Sequence, residues 1–394
     1  MTIVEPLLLD ASEECREIVN LAREFARQEI APYAAEWDRE KRYPEEVMRK
    51  LAELGFLGMR IPERYGGLGL DTFTYLTVLE ELAVADAGTS ISLSVHNSLP
   101  VSMLLAHASE EQRERWLPAM ARGEVLAAFS LSEAGAGSDA AAVRAQARRV
   151  SDGWVLEGEK AWVTNGDTAD LLVTVVRTDT PDDRRGRRGM SVFLIPAGTD
   201  GVEPGKPEDK MGLRSSRTTT ITLRDVYLTD QYLLGKEGEG YLYALRALDN
   251  GRMGVAAQAI GIGRGALEHA IRYAGEREQF GKPIKDFQAI QFKLADMATR
   301  LNAARALLFE TARAVEAGGA VTERASMAKL FATESAMWVT NQAVQIYGGY
   351  GYMRDYPVER LFRDAKVTEI YEGTSEVQRI VIARGLHPKQ SGNH

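Results

Sequence analysis

The stretch AAVRAQARRVSDGWVLEGEK, residues 141–160, decides how the chain is read. It follows GAGSDA (135–140), which matches the loose pattern G-x-G-x-x-G/A, and an acidic residue, Glu157, lies about twenty residues on. A dinucleotide-binding fold needs a helix directly after such a loop and a parallel strand after the helix. Here Ser151-Asp152-Gly153 is a turn signal and its flanks read as strands. Strand–turn–strand therefore replaces the helix, and a Rossmann fold is rejected. What remains is a turn of small side chains between strands, with Ser132 and Ser138 offering hydroxyls. Its N–H groups could hold an anion or the edge of a heterocycle, or it is a plain tight turn.

Outward from that point the runs stay short and β-branched. WVLEGEKAWVTN (154–165), LLVTVVRT (171–178), MSVFLIPA (190–197) and TTTITLRDVYL (218–228) are separated by turn residues. Residues from about 126 to 235 thus read as an antiparallel β-sandwich or barrel. The basic run Arg184, Arg185, Arg187 and Arg188 reads as a solvated hairpin tip.

On the N-terminal side the pattern is helical. Ile18, Leu21, Ala22 and Phe25 share a helix face. Pro44 opens a second helix and Gly55 ends it. Asp71 opens a third that Gly88 closes, and Ser109 with Gln112 forms a capping-box pattern for a fourth. Beyond GKEGEG (235–240) the helical period returns. Segments 239–276, 286–317 and 321–347, with a shorter one after Thr374, predict an antiparallel four-helix bundle. GIGRGA (261–266) falls inside the first of these, so its small residues serve close helix contact. In YGGYGYMRDYPVER (347–360) one glycine suffices to cap a helix, and the extra ones imply a backbone approached closely by something else. The expected fold is mainly α with a central β domain. Its boundaries are 1–125 for an N-terminal helical domain, 126–237 for the β domain and 238–394 for the helical bundle.

Bulk numbers agree. The chain has 394 residues, too many for one core. Apolar residues make up 45% and charged residues 26%, an ordinary globular balance. A formal charge of −8 repels nucleic acid. Cys15 is the one cysteine, which excludes an internal disulfide and favours a reducing compartment. No basic-then-apolar leader is seen. Residues 87–106 carry no formal charge but are crowded with Ser, Thr, Asn, His and Pro, so they are not a membrane span. The five histidines lack metal-ligand spacing, so no metal site is expected. A cytoplasmic protein is expected, with a mature matrix protein as the alternative.

Eight motifs then combine, in order: FSLSEAGAGSD (129–139), AWVTN (161–165), KMGLRSS (210–216), LDNGR (248–252), REQFGKPI (277–284), FQAIQFKLADM (287–297), QIYGGYGY (345–352) and IYEGTSEVQR (370–379). Together they resemble the acyl-CoA dehydrogenase family of flavoproteins over essentially the whole chain, most closely its short-chain members. The resemblance implies FAD, a helix–β–helix subunit and a homotetramer built as a dimer of dimers. It implies oxidation of an acyl-CoA to its trans-2-enoyl form, with an electron-transfer flavoprotein as acceptor. A branched-chain acyl-CoA dehydrogenase is the alternative within the class. An oxygen-using flavin oxidase or monooxygenase is the alternative outside it.

That reaction needs a base for the α-proton, stabilisation of the thioester oxygen and a hydride acceptor. Glu372 is the candidate base. Some members carry the base at the position of Gly251, where glycine cannot serve. The resemblance implies that the Glu372 N–H also helps hold the thioester oxygen. Ser375 and Gln378 read as a capping box just after Glu372. By the same resemblance, Phe129, Leu131 and Ser132 reach the isoalloxazine edge, and Trp162, Val163 and Thr164 lie by the flavin ring. Taken alone, Trp162 reads as core. Arg277 and Gln279 resemble pyrophosphate ligands donated by a neighbouring subunit. Phe287, Gln288, Gln345, Gly348 and Gly349 resemble further FAD contacts, and Thr374 and Glu376 continue toward the diphosphate. Glu376 departs from members with glutamine there, and a carboxylate sits poorly beside phosphates. Ser138, Asp249, Arg252, Gly373 and Arg384 match substrate-contacting positions, though Arg252 serves equally as a buttress for the base. Ser90 stands where glutaryl-CoA members carry an arginine, which disfavours a dicarboxylyl substrate.

Overall fold

The computed structural model describes residues 12–179 and 189–386, so the run from Arg184 to Arg188 lies outside the described residues. In chain order the first helices are α1 (Glu13–Phe25), α2 (Ala34–Glu40), α3 (Glu45–Glu53), α4 (Thr72–Ala85), α5 (Ala87–Ser98), α6 (Pro100–His107) and α7 (Glu110–Ala121). Eight strands follow: β1 (Ala127–Ser130), β2 (Gln146–Val150), β3 (Gly153–Thr164), β4 (Leu171–Arg177), β5 (Met190–Pro196), β6 (Val202–Pro204), β7 (Thr218–Leu228) and β8 (Leu233–Leu234). Helix α8 (Gly240–Glu276) leads into a small hairpin, β9 (Glu278–Gln279) and β10 (Lys282–Pro283). The chain ends with α9 (Gln288–Glu316), α10 (Thr322–Tyr347), α11 (Pro357–Thr368) and α12 (Ser375–Leu386). Helical, β, helical is therefore the observed order. No helix among the described residues is long and apolar enough to cross a membrane.

The chain forms two compact units. One takes Glu36–Asp71 and Gly88–Gly251, and the other takes the chain up to Ala35, Thr72–Ala87 and everything from Arg252. In the sheet unit the strand order is β6-β7-β3-β2-β4-β5-β8, with β1 paired to β4. Most pairs are antiparallel, but β1 and β2 each meet β4 in parallel. Strand β4 is buried along its whole length, as its unbroken LLVTVV run requires. Alternate residues of β7 turn Ile221 and Leu223 into a core shared with Trp154, Leu156, Phe193 and Ile195. The strand expected before the Ser151 turn starts late, since Ala140–Ala142 make a short 3-10 turn instead.

Helices α5 to α7 also belong to this unit. The Ser109–Gln112 capping box forms with both of its hydrogen bonds. Gly88, however, closes nothing. The preceding helix stops at Ala85, and Gly88 sits in the first turn of α5. A side chain there would stand 2.0 Å from Ser215 Oγ and 2.9 Å from the Ser216 nitrogen, so glycine is selected by close packing.

In the helical unit α1 packs on α4, but through Cys15, Val19 and Ala22, and Leu21 is exposed. The seam thus lies to one side of the Ile18–Phe25 face expected from sequence. Helix α10 runs against α9, α11 and α12. The α11 segment was not foreseen as a separate helix, because its apolar stripe is short. At the α4–α8 crossing, a carbon added to Gly261 would lie 2.5 Å from the Glu80 carbonyl, and one added to Gly265 2.8 Å from that of Val84. The small residues of GIGRGA do serve close helix contact. The same approach buries charge: Arg264 Nη1 lies 2.8 Å and Arg305 Nη2 2.6 Å from Glu80 Oε1. Gly261→Ala is expected to lower stability by about 1–3 kcal/mol, the range for overpacking, read from the urea midpoint. An unchanged midpoint would mean the helices part easily.

Candidate active site

Glu372 and Gly373 both have left-handed backbones, with φ of +53° and +96°. Glycine takes that conformation freely and glutamate does not, so the pair needs outside support. Three groups provide it. Lys329 Nζ, on α10, donates to the Gly373 carbonyl at 2.7 Å. Gln378 Nε2, on α12, donates to the same oxygen at 2.8 Å and to the Glu372 carbonyl at 3.3 Å. The Ser375 N–H donates to Glu369 O at 2.9 Å. Gln378 is thus a brace for the turn, which corrects its reading as part of a capping box with Ser375. The helix starts at Ser375, so Thr374 is the cap, and its Oγ1 accepts from Val377 N–H at 3.3 Å.

The Glu372 side chain is held back from water. Its Oε2 is buried and has no hydrogen-bond partner among the described residues. Burial pushes its pKa up to about 7, against the downward pull of Lys329 and Arg252. Burial likewise brings Lys329 down to about 8, with Glu372 the largest opposing influence. Next door, the Tyr371 hydroxyl donates to Gln258 Oε1, and Gln258 Nε2 donates to Ala87 O at 2.7 Å. Arg252 is buried on α8, with Nη1 3.5 Å from Ser326 Oγ.

Two other sequence motifs meet in the same unit. Arg277, Gln279, Gly348 and Gly349 line one depression of about 520 Å³, together with Tyr347 and Tyr350. Arg277 lies over the Tyr350 ring, 5.6 Å from its centroid. A carbon added to Gly348 or Gly349 would meet no atom within 4 Å, so these glycines are not required by protein packing. Gly348 does cap α10, at φ +61°. Gln345 lies in the last turn of α10, Phe287 caps α9, and Gln288 begins it. Phe280, at the hairpin tip, is 93% exposed on a left-handed backbone. Glu376 is exposed in the first turn of α12, and its carboxyl is held low by its own N–H and then by the Thr374 hydroxyl. Arg384 is exposed in the last turn of that helix.

The sheet unit brings together the other predicted residues. Ala161 N–H donates to Ser132 O at 2.9 Å, which ties the Phe129–Ser132 loop to the Trp162 segment. Lys160, fully buried, reinforces the tie: its Nζ is 3.0 Å from Leu131 O and 2.8 Å from Glu133 Oε1. Opposite β7, Lys160 pairs with Ile221 and Val163 with Thr219, so two residues face one across a bulge. Trp162 sits in that bulge at φ +56° and is 57% exposed. It is therefore not core, whereas Val163 beside it is buried and Thr164 half-buried. Ser138 is exposed in its loop, Asp249 is partly buried on the α8 segment of this unit, and Ser90 is buried on α5. A second cavity, about 390 Å³ and lined by His107, Gln112, Arg115 and Asp230, collects none of the predicted residues.

Three family models match in succession: the acyl-CoA dehydrogenase N-terminal domain over residues 12–124, the middle domain over 128–226 and the C-terminal domain over 238–387. The chain belongs to the acyl-CoA dehydrogenase family. It is thus an oxidoreductase by family, and relatives agree over nearly its full length. It is 45% identical to a 3-(aryl)acrylate reductase of Clostridium sporogenes, over 95% of this chain and 99% of that one. It is 44% identical to the mouse mitochondrial short-chain specific acyl-CoA dehydrogenase, over 92% and 88%. Among solved structures, butyryl-CoA dehydrogenase from Megasphaera elsdenii aligns with a TM-score of 0.93 at 41% identity, over 95% and 98%. A chain from the work on the electron transferring flavoprotein of Acidaminococcus fermentans aligns at 0.94 and 44%, over 96% and 99%. A Mycobacterium smegmatis glutaryl-CoA dehydrogenase in complex with FADH2 aligns at 0.90 and 31%, over 97% and 96%.

Sequence reasoning missed Lys329, Lys160 and Glu133. For Lys329 a signal existed: its neighbours at i±3 and i±4 are Ala325, Ser326, Ala332 and Thr333, all buried, with no acid to pair with. The Glu372 carboxyl is expected to titrate near 7, well above an ordinary glutamate. The check is its infrared C=O band, isolated by difference against Glu372→Gln. A midpoint between 4 and 5 would refute the buried, poorly solvated site.

Proposed function

We propose that the chain is an FAD-dependent short-chain acyl-CoA dehydrogenase in which Glu372 takes the α-proton. The observation that carries this reading is a buried, unpartnered carboxylate oxygen on a strained turn in a chain of this family. A carboxyl with a pKa near 7 is half ionised at neutral pH and basic enough to take a proton from a weak carbon acid. Its ionised form is the active one, so kcat/KM should rise with pH through about 7 and level off above it.

The residues fit the cofactor on two counts. The open backbone at Gly348 and Gly349 beside the Arg277 cation suits an anionic pyrophosphate. Trp162, pushed outward by a bulge and flanked by the pinned Phe129–Ser132 loop, suits the face and edge of a flat heterocycle. When bound, FAD supplies the acceptor for the hydride that leaves the β-carbon. Arg277, Gln279, Phe287, Gln288, Gln345, Gly348 and Gly349 act across a dimer interface within a homotetramer. The exposed hairpin phenylalanine Phe280 favours such an interface. Thr374 belongs to this cofactor set, and Glu376, already engaged at its own helix terminus, has the weaker claim. Ser138, Asp249, Gly373 and Arg384 are assigned to acyl-CoA and Arg252 to the base or substrate. Electrons leave to an electron-transfer flavoprotein. Domain boundaries at 1–125, 126–237 and 238–394 and a cytoplasmic location complete the proposal.

The reductase named above favours a second reading, in which the same site runs toward the saturated product. A carboxyl near neutrality can return a proton as well as take one, so the geometry serves both directions. Assay with reduced dye and an enoyl-CoA measures that direction.

Glu372→Gln is expected to keep stoichiometric flavin and bind acyl-CoA while losing at least about a hundredfold in rate. Near-normal turnover would end the assignment. Anaerobic titration with acyl-CoAs from butyryl to palmitoyl, with isobutyryl and isovaleryl, ranks substrates by loss of the flavin band. Butyryl-CoA should bleach it first, and preference for a branched acyl group would favour the branched-chain alternative. A monomerising change at the hairpin, Phe280→Asp, should release flavin, and tight flavin on a proven monomer would contradict donation of Arg277 between subunits.

A further inference from the structure

Lys329 is the deepest charge near the Glu372 turn, and beyond bracing that turn it has been given no part in the reaction. It is fully buried on α10 among Ala325, Ser326, Ala332 and Thr333. Its Nζ has an unusual target, the carbonyl of a glycine at φ +96° that directly follows the base. A surface lysine on an alanine-rich helix would extend into water and find a carboxylate at helical spacing. This one is held 2.7 Å from a main-chain oxygen instead.

Burying an ammonium is costly unless a negative charge stands near it. Of the charged and titratable groups around it, Glu372 from the turn acts on it most strongly. Arg252 from α8 opposes, and Glu369 after α11 and Glu376 from α12 add smaller attractions. Asp364 of α11 and Glu372 bear on Tyr371, whose hydroxyl is committed to Gln258. Among the described residues, the cations that act on the base are Lys329 and then Arg252. The lysine therefore touches the turn in two ways, through a hydrogen bond to its backbone and through its charge on the carboxylate.

We propose that Lys329 is a positioning residue for the base: it clamps the Gly373 carbonyl so that Glu372 stays on its left-handed backbone, and its charge draws the carboxyl toward the ionised form in the resting enzyme. Burial alone would favour the protonated acid, which cannot accept a proton from substrate. The buried ammonium restores the anion without donating a hydrogen bond to Oε2, which stays unpartnered and able to receive the proton. Once Glu372 has been protonated, the ammonium stands without its counter-charge, and this favours release of that proton to solvent before the next turnover. The proposal rests on Glu372 being the base.

The test uses the flavin-loaded enzyme and three variants, Lys329→Met, Lys329→Gln and Lys329→Arg, each assayed for kcat/KM against pH with a short acyl-CoA. Methionine and glutamine should move the acid limb upward by about one unit or more, the size of effect an adjacent opposite charge exerts on a carboxylate. At pH 7 a one-unit rise from about 7 takes the ionised fraction from about a half to about a tenth, roughly a fivefold loss. Arginine keeps the charge and should leave the limb within a few tenths of a unit of wild type, whatever it does to the plateau. A lysine that merely packs the helix would lower the plateau without moving the limb, and that result overturns the proposal. Should the methionine variant fail to fold, the infrared titration of Glu372 in Lys329→Gln decides it: an unshifted midpoint is equally fatal. The two readings separate cleanly. An active Glu372→Gln enzyme removes the base itself, whereas an inactive one beside an unshifted Lys329→Gln limb removes only the role given to the lysine.

Discussion

A carboxylate deprived of water between two cations is the constraint on which the catalytic account depends. Desolvation drives Glu372 toward the acid, Lys329 and Arg252 draw it back, and the balance falls near neutrality. Either influence alone would disable a base. A fully hydrated glutamate is too weak, and one buried without cations would stay protonated. The surrounding elements maintain that balance. The small residues of α10 let a lysine be buried inside the unit, and Gln378 at the start of α12 shares its target carbonyl.

The same device, a strained residue tied down by buried polar groups, recurs in the sheet unit. Trp162 and Glu372 are both non-glycine residues on left-handed backbones. Each is next to a buried lysine that bonds a main-chain carbonyl of the neighbouring loop: Lys160 to Leu131, Lys329 to Gly373. Such conformations persist only where the surroundings over-determine them, and they gather at functional sites. Lys160 has a formal partner in Glu133, which also accepts the Arg144 and Ala145 N–H groups. That arrangement fixes the loop firmly enough that its backbone can be presented rather than folded back on the protein.

Much of this was legible from residues alone. The strand–turn–strand after GAGSDA, the capping box at Ser109 and the three long helices each follow from local rules that the surroundings do not overturn. Errors arose where tertiary packing chose between local options. Gly88 looked like a stop but is a close-approach residue against Ser215. Gln378 looked like a capping partner, yet it braces two carbonyls because the helix begins at Ser375. The α1 face turned toward Cys15 and Val19, which only the position of α4 determines. The motifs named candidate residues in each of the two units. They could not reveal the bulge that turns Trp162 outward or the lysines beneath, since neither lies in the pattern of hydrophobic spacing.

The central claim is that Glu372 removes the α-proton, and it can be separated from flavin reduction. A short acyl-CoA analogue with sulfur in place of the β-carbon can lose its α-proton but has no β-hydride to give. Incubated in D2O with the flavin-loaded enzyme and followed by proton NMR, its α-hydrogen should exchange in the presence of wild type and stay in place with Glu372→Gln. Exchange at the wild-type rate in the variant would contradict the account.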